Sequence, residues 1–415
     1  MSLNDTTRGN RLHIGLFGRR NAGKSSLINV LTGQAVATVS AVPGTTTDPV
    51  YKAMELHGIG PVVFIDTAGF DDEGALGKLR VEKTEQAARE TDIALLLFCG
   101  LDMTEELKWL AFFRQQKTPV VLLISQTDEL PDGGSKLQAD VACAAGEKPL
   151  LVSAKEKLGL DEVRQALIRA LPEDYEQPSI TGSLCQSGDL VLLVMPQDIQ
   201  APKGRLILPQ VQTLRELLDK GCQALCCTTD KLADTLAKLK APPQLIITDS
   251  QAFRDVYAQK PAQSRLTSFS VLFAAFKGDI QCFLQGAEAL LQLQSDAHVL
   301  IAEACTHKPL QEDIGRVKLP RLLRKKLGQD LSVDIVSGKD FPKDLSGYDL
   351  VIHCGACMFN RKYVLSRVQQ CQKQQTPMTN YGLAIAALLG ILDKVSLPNG
   401  EKYVKMEYKF QNTGD

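Results

Sequence analysis

The chain has no excess of charge of either sign: 47 Lys and Arg stand against 48 Asp and Glu in 415 residues, a formal net charge of −1. That balance excludes a one-signed field that would draw the whole molecule to nucleic acid or an anionic membrane, and neither is expected as a partner. Long apolar runs are also missing. The longest, Leu383–Leu392, is too short to span a bilayer, and Met1–Asn10 is polar, without the apolar stretch of a secretory leader. The expectation is a soluble, cytoplasmic protein. Histidine is scarce, with five in all, but cysteine is not, with eleven. An odd number of cysteines spread over the whole length does not read as a secreted disulfide framework. Most, Cys99 and Cys282 among them, are expected as small buried hydrophobes, and a few as metal ligands. No internal repeat or low-complexity tract interrupts the chain.

The length suggests about three domains. From Leu12 to Leu171, apolar runs (Ile14–Phe17, Val62–Ile65, Ile93–Phe98, Val120–Ile124, Leu150–Val152) alternate with helix-like segments, the pattern of a mostly parallel sheet covered by helices. A polar, Pro-bounded stretch, Pro172–Ser179, reads as a linker. A second, smaller α/β unit opens with an apolar strand, Leu190–Met195, and a helix over Val211–Lys220. A third has strands at His298–Ala302 and Leu350–His353 and helices at Asp279–Leu290, Lys318–Leu327, Tyr363–Gln370 and Leu383–Leu392. The expected division is 1–173, 180–262 and 265–415. Cys222, Cys226 and Cys227 form a CxxxCC run with no nearby histidine, and packing suits them better than metal binding.

Gly18-Arg-Arg-Asn-Ala-Gly23-Lys24-Ser25 fits GxxxxGK[ST] directly after a strand and before an apolar-periodic helix, which makes it a phosphate-binding P-loop. Backbone N–H groups from Gly18, Asn21, Ala22, Gly23, Lys24, Ser25 and Ser26 are expected around the phosphates of a nucleotide. Lys24 supplies a point charge for the β- and γ-phosphates, and the Ser25 hydroxyl a ligand for Mg²⁺. Asp66-Thr-Ala-Gly69 closes the next strand, with Asp66 toward the Mg²⁺ shell and the Gly69 N–H toward a γ-phosphate. Thr46, in Pro43-Gly-Thr-Thr-Thr-Asp48, is the hydroxyl expected to reach Mg²⁺ only when the third phosphate is present; as a plain loop the same run would have no such role. Lys24, Thr46 and Gly69 are the candidate catalytic groups. Asp128, in Ser125-Gln-Thr-Asp128, can accept the two N–H groups that guanine has and adenine lacks. Ser153-Ala154-Lys155 supplies the last element around the base, and GTP is the expected nucleotide.

In order, these pieces resemble the translation-factor-related GTPases of the TrmE and Era type over about 170 residues. Where such GTPases carry Asn-Lys-x-Asp, this chain has Ser-Gln-Thr-Asp, and the missing lysine implies weaker affinity with retained choice of base. Phe70 follows Gly69, so no glutamine is available there to orient water. Asn21 matches the asparagine that in TrmE-like members helps hold K⁺ beside the phosphates, which implies slow, K⁺-stimulated hydrolysis.

A second constellation lies at two strand ends: Cys305-Thr-His307, and His353-Cys354-Gly-Ala-Cys357. If the strands are parallel neighbours, five N and S groups converge at one sheet edge. Thiolates with imidazole suit an Fe–S cluster or Zn²⁺, and a lone redox Cys-x-x-Cys is the alternative. Together with Glu303-Ala-Cys-Thr-His307, Asp313-Ile-Gly-Arg316 and Thr379-Asn-Tyr-Gly382, the whole chain resembles the FeFe-hydrogenase maturation GTPases, the HydF family. The resemblance implies a 4Fe–4S cluster on Cys305, Cys354 and Cys357. It also implies a scaffold that receives a transient di-iron precursor from radical-SAM maturation proteins and delivers it to apo-FeFe-hydrogenase, with the middle domain forming a homodimer. His353, His307 or an exogenous group would fill the fourth position. Arg316, Lys318, Arg321, Arg324, Lys325 and Lys326 form either a solvated helix face or a dock for an anionic partner. An RNA-modifying or ribosome-assembly GTPase and a zinc-stabilised GTPase switch are the competing readings.

Overall fold

The computed structural model describes residues 8–32, 49–56, 58–69, 75–172, 179–196, 206–304 and 314–399. Thr46, Phe70, Cys305 and His307 lie outside the described residues. The chain is α/β and divides into two compact units, Met1–Glu176 and Gln177–Asp415.

The first unit carries a six-stranded sheet: β1 (Leu12–Phe17), β2 (Val50–Leu56), β3 (Gly60–Asp66), β4 (Ile93–Phe98), β5 (Val120–Ile124) and β6 (Leu150–Leu151), in the order β2-β3-β1-β4-β5-β6. All neighbours are parallel except β2, which runs antiparallel to β3. Alternation explains why β4 is buried throughout. Ile93, Leu95 and Leu97 meet Leu27, Ile28, Val163 and Leu167 from the helices Lys24–Thr32 and Leu160–Arg169. Ala94, Leu96 and Phe98 meet Trp109, Phe113, Leu137 and Val141 from the helices Thr104–Gln115 and Ser135–Ala145. A strand between two helical layers must be apolar on both faces.

The second unit contains two four-stranded sheets, each wholly parallel. One comprises β7 (Leu190–Val194), β8 (Gln223–Cys227), β9 (Leu245–Thr248) and β10 (Arg265–Ser268), in the order β10-β9-β7-β8. The other comprises β11 (His298–Glu303), β12 (Ser332–Ser337), β13 (Leu350–His353) and β14 (Met378–Asn380), in the order β12-β11-β13-β14. The segment from Arg265, expected to open the third domain, is instead the edge strand of the second sheet. A single hydrophobic core runs from Val194 and Ile246 through Leu284 to Ile301 and Leu383, so the expected second and third domains share one interior. Helices Phe269–Lys277 and Ile280–Leu290 provide much of it. Gly286 is what allows the latter to sit on β14: a Cβ there would lie 2.1 Å from the Met378 carbonyl oxygen. The helix expected to reach Leu392 spans Tyr381–Leu388, and a left-handed Gly390 follows it, as at many helix C-termini.

Cys226 and Cys227 are successive residues of β8, so their side chains project to opposite faces, and Cys222 is buried before the strand. They do not gather around a metal. No helix among the described residues is long and apolar enough to cross a membrane.

Candidate functional sites

The P-loop joins β1 to the helix Lys24–Thr32. Its first glycine is needed because β4 passes close by: a Cβ on Gly18 would stand 2.9 Å from the Leu97 carbonyl oxygen. Asn21 and Gly23 take left-handed backbone angles, φ 61° and 79°, which wind the loop inward. Lys24, only 7 % exposed, donates to the carbonyl oxygens of Gly18 and Arg19 at 2.8 and 2.7 Å, so its ammonium lies within the loop. The Ser25 hydroxyl donates to Asp66 Oδ2 at 2.5 Å, which brings the two expected Mg²⁺ groups together. Gly69 lies just beyond the end of β3, which closes at Asp66, and Thr67 is pinned there by its hydroxyl to Leu16 O at 2.5 Å.

A cavity of ≈ 150 Å³ extends from the P-loop between Gly23, Leu27, Gln126, Asp128, Ala154 and Lys155, and Ser26 also lines it. The residues expected from the sequence around a nucleotide base, Asp128, Ala154 and Lys155, line it together. The Ser153 hydroxyl donates to Asp128 Oδ1 at 2.5 Å and accepts from the Glu156 N–H at 3.0 Å. The Ser153 bond, with Lys155 nearby, holds the Asp128 carboxyl below its usual range, ionised as a guanine acceptor must be. The position of the missing lysine is not empty. Gln126, left-handed at φ 55°, places its Cγ 3.6 Å from where a Cβ on Gly23 would be.

The second site lies at the carboxyl end of the third sheet. β11 has β12 on one side and β13 on the other, so successive crossovers leave in opposite directions and open a crevice between β11 and β13. Cys354 sits in it. Its Sγ accepts the Ala304 N–H at 3.0 Å and the Ala356 N–H at 3.4 Å. Ala356 is left-handed, φ 51°, and turns the chain so that Cys357 follows at the same edge. Burial, reinforced by Cys357, pushes the Cys354 thiol up to about 11, so at neutral pH a bound metal is what would make it a thiolate. Beneath the loop, Lys277 donates to the carbonyl oxygens of Phe359, Ala356 and Cys357 at 2.7, 3.3 and 3.4 Å.

His353 does not join Cys354. As the last residue of β13 it projects to the face opposite its neighbour, where it is 1 % exposed. Its Nδ1 bonds to Cys354 O at 2.8 Å and its Nε2 accepts from the Arg367 guanidinium at 2.8 Å. With both nitrogens engaged, and burial followed by Arg367 pushing it down to about 3, it is a neutral support and not a metal ligand. At the same edge Glu303 receives Arg316 Nε at 3.1 Å and the Tyr381 hydroxyl at 3.4 Å, while Arg316 also donates to Ser337 at 2.7 Å. Gly315 lies close against this group: a Cβ there would fall 2.0 Å from the Tyr381 hydroxyl oxygen and 2.4 Å from Glu303 Oε1, so a side chain would displace them.

Three family models match the chain. Residues 13–126 match the 50S ribosome-binding GTPase model, 180–278 the hydrogen maturase F dimerization domain, and 281–398 the hydrogen maturase F tetramerization domain. The last two together cover more than half of the chain. The chain belongs to the hydrogen maturase F family. Among curated proteins it is 36 % identical over 165 residues to the tRNA modification GTPase MnmE of Lactobacillus delbrueckii subsp. bulgaricus, covering 39 % of this chain and 34 % of that protein. It is 34 % identical over 162 residues to MnmE of Heliobacterium modesticaldum, covering 38 % of this chain and 34 % of that protein. The chain thus spans about a third of the length of these relatives. Among solved structures, Era in complex with MgGDPNP and a segment of 16S ribosomal RNA aligns with TM-score 0.35 and 18 % identity, over 54 % of this chain and 94 % of that one. Aquifex aeolicus Era bound to GDP and aluminium fluoride aligns with TM-score 0.34 and 18 % identity, over 61 % and 98 %.

Several contributing residues carry no sequence signal. Arg19 is one: it pairs with Glu106 at 3.0 Å and Asp102 at 2.8 Å, anchoring the P-loop to the segment after β4. Gln126, Lys277 and Arg367 are others. Of the six charges in the basic run, Arg316 and Lys318 turn to Glu303 and Gln251, while Arg321, Lys325 and Lys326 are exposed. Cys354 and Cys357 stand without a third His, Cys, Asp or Glu ligand among the described residues.

Proposed function

We propose that this protein is a GTP-hydrolysing scaffold of FeFe-hydrogenase maturation, holding a 4Fe–4S cluster on Cys305, Cys354 and Cys357 and passing a di-iron precursor to apo-hydrogenase. The observation that carries the cluster assignment is Cys354 Sγ accepting two backbone N–H groups in the crevice at the ends of β11 and β13. Such N–H to sulfur bonds stabilise the negative charge of a thiolate or cluster sulfur, and the chain leaves β11 two residues before Cys305. The donor set therefore fits a soft, anionic iron–sulfur group. When bound, that group would supply an iron without a thiolate, the point at which a second metal fragment can attach. The protein's own contribution is to fix two of the sulfurs and to shield one side of the site with the Lys277, His353 and Arg367 layer.

In the first unit, Lys24, Ser25, Asp66 and Gly69 are proposed to hold Mg²⁺ and the phosphates, Thr46 to sense the third phosphate, and Asn21 to share a K⁺ ion with them. Asp128, Ser153, Ala154 and Lys155 select guanine. Hydrolysis regulates exchange of partners, the radical-SAM maturation proteins on one side and the apo-hydrogenase on the other. The dimerization and tetramerization domains support a homo-oligomer, assembled at least as a dimer. The likeness to the tRNA modification GTPases named above and their relatives covers 37–47 % of the chain, less than half of it.

Anaerobic purification tests the reading directly. Brown protein with iron and acid-labile sulfide is expected, lost in the Cys305→Ser, Cys354→Ser, Cys357→Ser triple variant; colourless protein with one stoichiometric zinc would overturn it. For the first unit, GTP turnover is expected to be slow and faster in K⁺ than in Na⁺, and equal rates in the two salts would remove Asn21 from its role.

A further inference from the structure

Two cations are buried on the protein side of the cysteine loop. Lys277 is 1 % exposed and Arg367 is 2 % exposed. Lys277 uses its ammonium on three loop carbonyls, those of Ala356, Cys357 and Phe359. Arg367 donates to His353 Nε2 and, at 2.7 Å, to Gly338 O, and its guanidinium carbon lies 4.7 to 4.8 Å from the ring centroids of Phe341, Phe359 and Tyr363. Their hydrogen bonds are largely met, but their charge is not: neither forms an ion pair with a carboxylate among the described residues.

Burying a cation in an apolar interior is costly unless an anion offsets it. Carbonyl dipoles and aromatic faces meet part of that cost. What stands across the loop from these cations is Cys354 and Cys357. An oxidised 4Fe–4S core with three thiolates carries net negative charge, and a one-electron reduction adds another. Cations fixed beneath the sulfurs favour the more negative state.

We propose that Lys277 and Arg367 form a cationic floor for the cysteine site: positioning residues that hold the Cys354–Cys357 loop and raise the reduction potential of a cluster bound there. The proposal rests on the cluster reading above. It adds a connection between the two family domains, because Lys277 ends the helix Phe269–Lys277 within the dimerization match while the loop it grips lies within the tetramerization match.

The test uses full-length protein, anaerobically reconstituted with iron and sulfide, and compares Lys277→Met with Lys277→Arg by potentiometric titration followed by electron paramagnetic resonance. At the wild-type midpoint, Lys277→Met should lower the reduced-to-oxidised ratio about tenfold, equal to about 59 mV for a one-electron couple, while Lys277→Arg stays within about threefold. Arg367→Gln and Arg367→Lys form a second neutral and charged pair, so the comparison survives if one Lys277 variant does not fold. Hydrogen exchange of residues 354–360 in the apoprotein reads the loop separately, and the Met variant should exchange about tenfold faster. An unchanged midpoint in folded Lys277→Met and Arg367→Gln, or equal shifts in the neutral and charged variants, would overturn the electrostatic role; unchanged exchange would overturn the clamp. Wild-type protein that takes up no iron and sulfide would sink the cluster reading and the electrostatic role with it, and the exchange comparison would still decide the clamp.

Discussion

Replacing Gln126 by lysine should tighten guanine nucleotide binding by about fourfold. Gln126 stands where related GTPases place a lysine whose methylenes cover the base, and its side chain already lies along the wall of the base cavity beside Gly23. The backbone there is left-handed, φ 55°, a conformation that costs lysine and glutamine alike, so the exchange introduces no new strain. Lysine adds two methylenes before the charge; the inner one lies over the base, and the outer one stays with the ammonium in solvent. One newly buried methylene contributes about 0.8 kcal/mol, which is about fourfold in Kd, while the ammonium reaches past the base to solvent. Fluorescent GDP and GTP titrations at low and high salt measure the gain. Because the base is common to both, the gain should be equal for GDP and GTP and insensitive to salt. A gain confined to GTP and abolished by salt would show that the new charge acts on the phosphates, and unchanged affinity would show that residue 126 does not cover the base; either result refutes the reasoning.

Three further outcomes follow from particular contacts. His353→Gln should retain iron and sulfide at the wild-type ratio while losing about 2–3 kcal/mol of stability, because it disturbs hydrogen bonds to Arg367 and Cys354 O but no metal ligand; loss of cluster from a folded variant would restore His353 as a ligand. Gly286→Ala should destabilise the second unit by about 3 kcal/mol or prevent its folding, since the new methyl meets the β14 backbone at 2.1 Å, whereas Gly347→Ala, with open space around it, should fall within about 0.5 kcal/mol of wild type in denaturant melts. Glu216→Ala should cost about 2–4 kcal/mol, because this carboxylate accepts from the Ile180 and Thr181 N–H groups and the Ser179 and Thr181 hydroxyls. Burial alone would raise the Glu216 carboxyl, but the bonds from Thr181, Ile180 and Ser179 outweigh it and leave it lowered. Its stabilisation is therefore complete above the ordinary carboxylate range and lost as pH falls through the lowered value, so unfolding followed against pH should be flatter on the acid side in the variant.

What could be read in the sequence was what local pattern determines. β4 and β5 are uninterrupted apolar runs because helices cover both faces, and the P-loop is recognisable because phosphate binding fixes its glycines and lysine at set intervals. β2 and β14 escaped for opposite reasons: Val50–Leu56 is an edge strand with mixed exposure, and Met378–Asn380 has only three residues. The limit was sharpest at the cysteine site. Adjacency in sequence made His353 a plausible companion of Cys354, yet the alternation of an extended chain sends neighbours to opposite faces. Lys277 could not be found at all: a lysine closing Phe-Ser-Val-Leu-Phe-Ala-Ala-Phe reads as an ordinary charge at a helix C-terminus. Its burial is decided by residues about eighty positions later, which no local pattern encodes.

That long-range contact bears on how the site is built. Ala356 holds a left-handed conformation that costs a non-glycine residue about 1–2 kcal/mol, and in a free loop it would relax. Here the bend is held from both sides. Cys354 Sγ takes the Ala356 N–H, Lys277 takes the Ala356 carbonyl, and the Phe359 N–H returns to the same carbonyl at 3.1 Å. The protein's own hydrogen bonds therefore specify the bend of the loop. A loop whose bend is held in advance loses less conformational entropy when a ligand binds it, so the strain at Ala356 and the buried charge at Lys277 are costs borne by the fold.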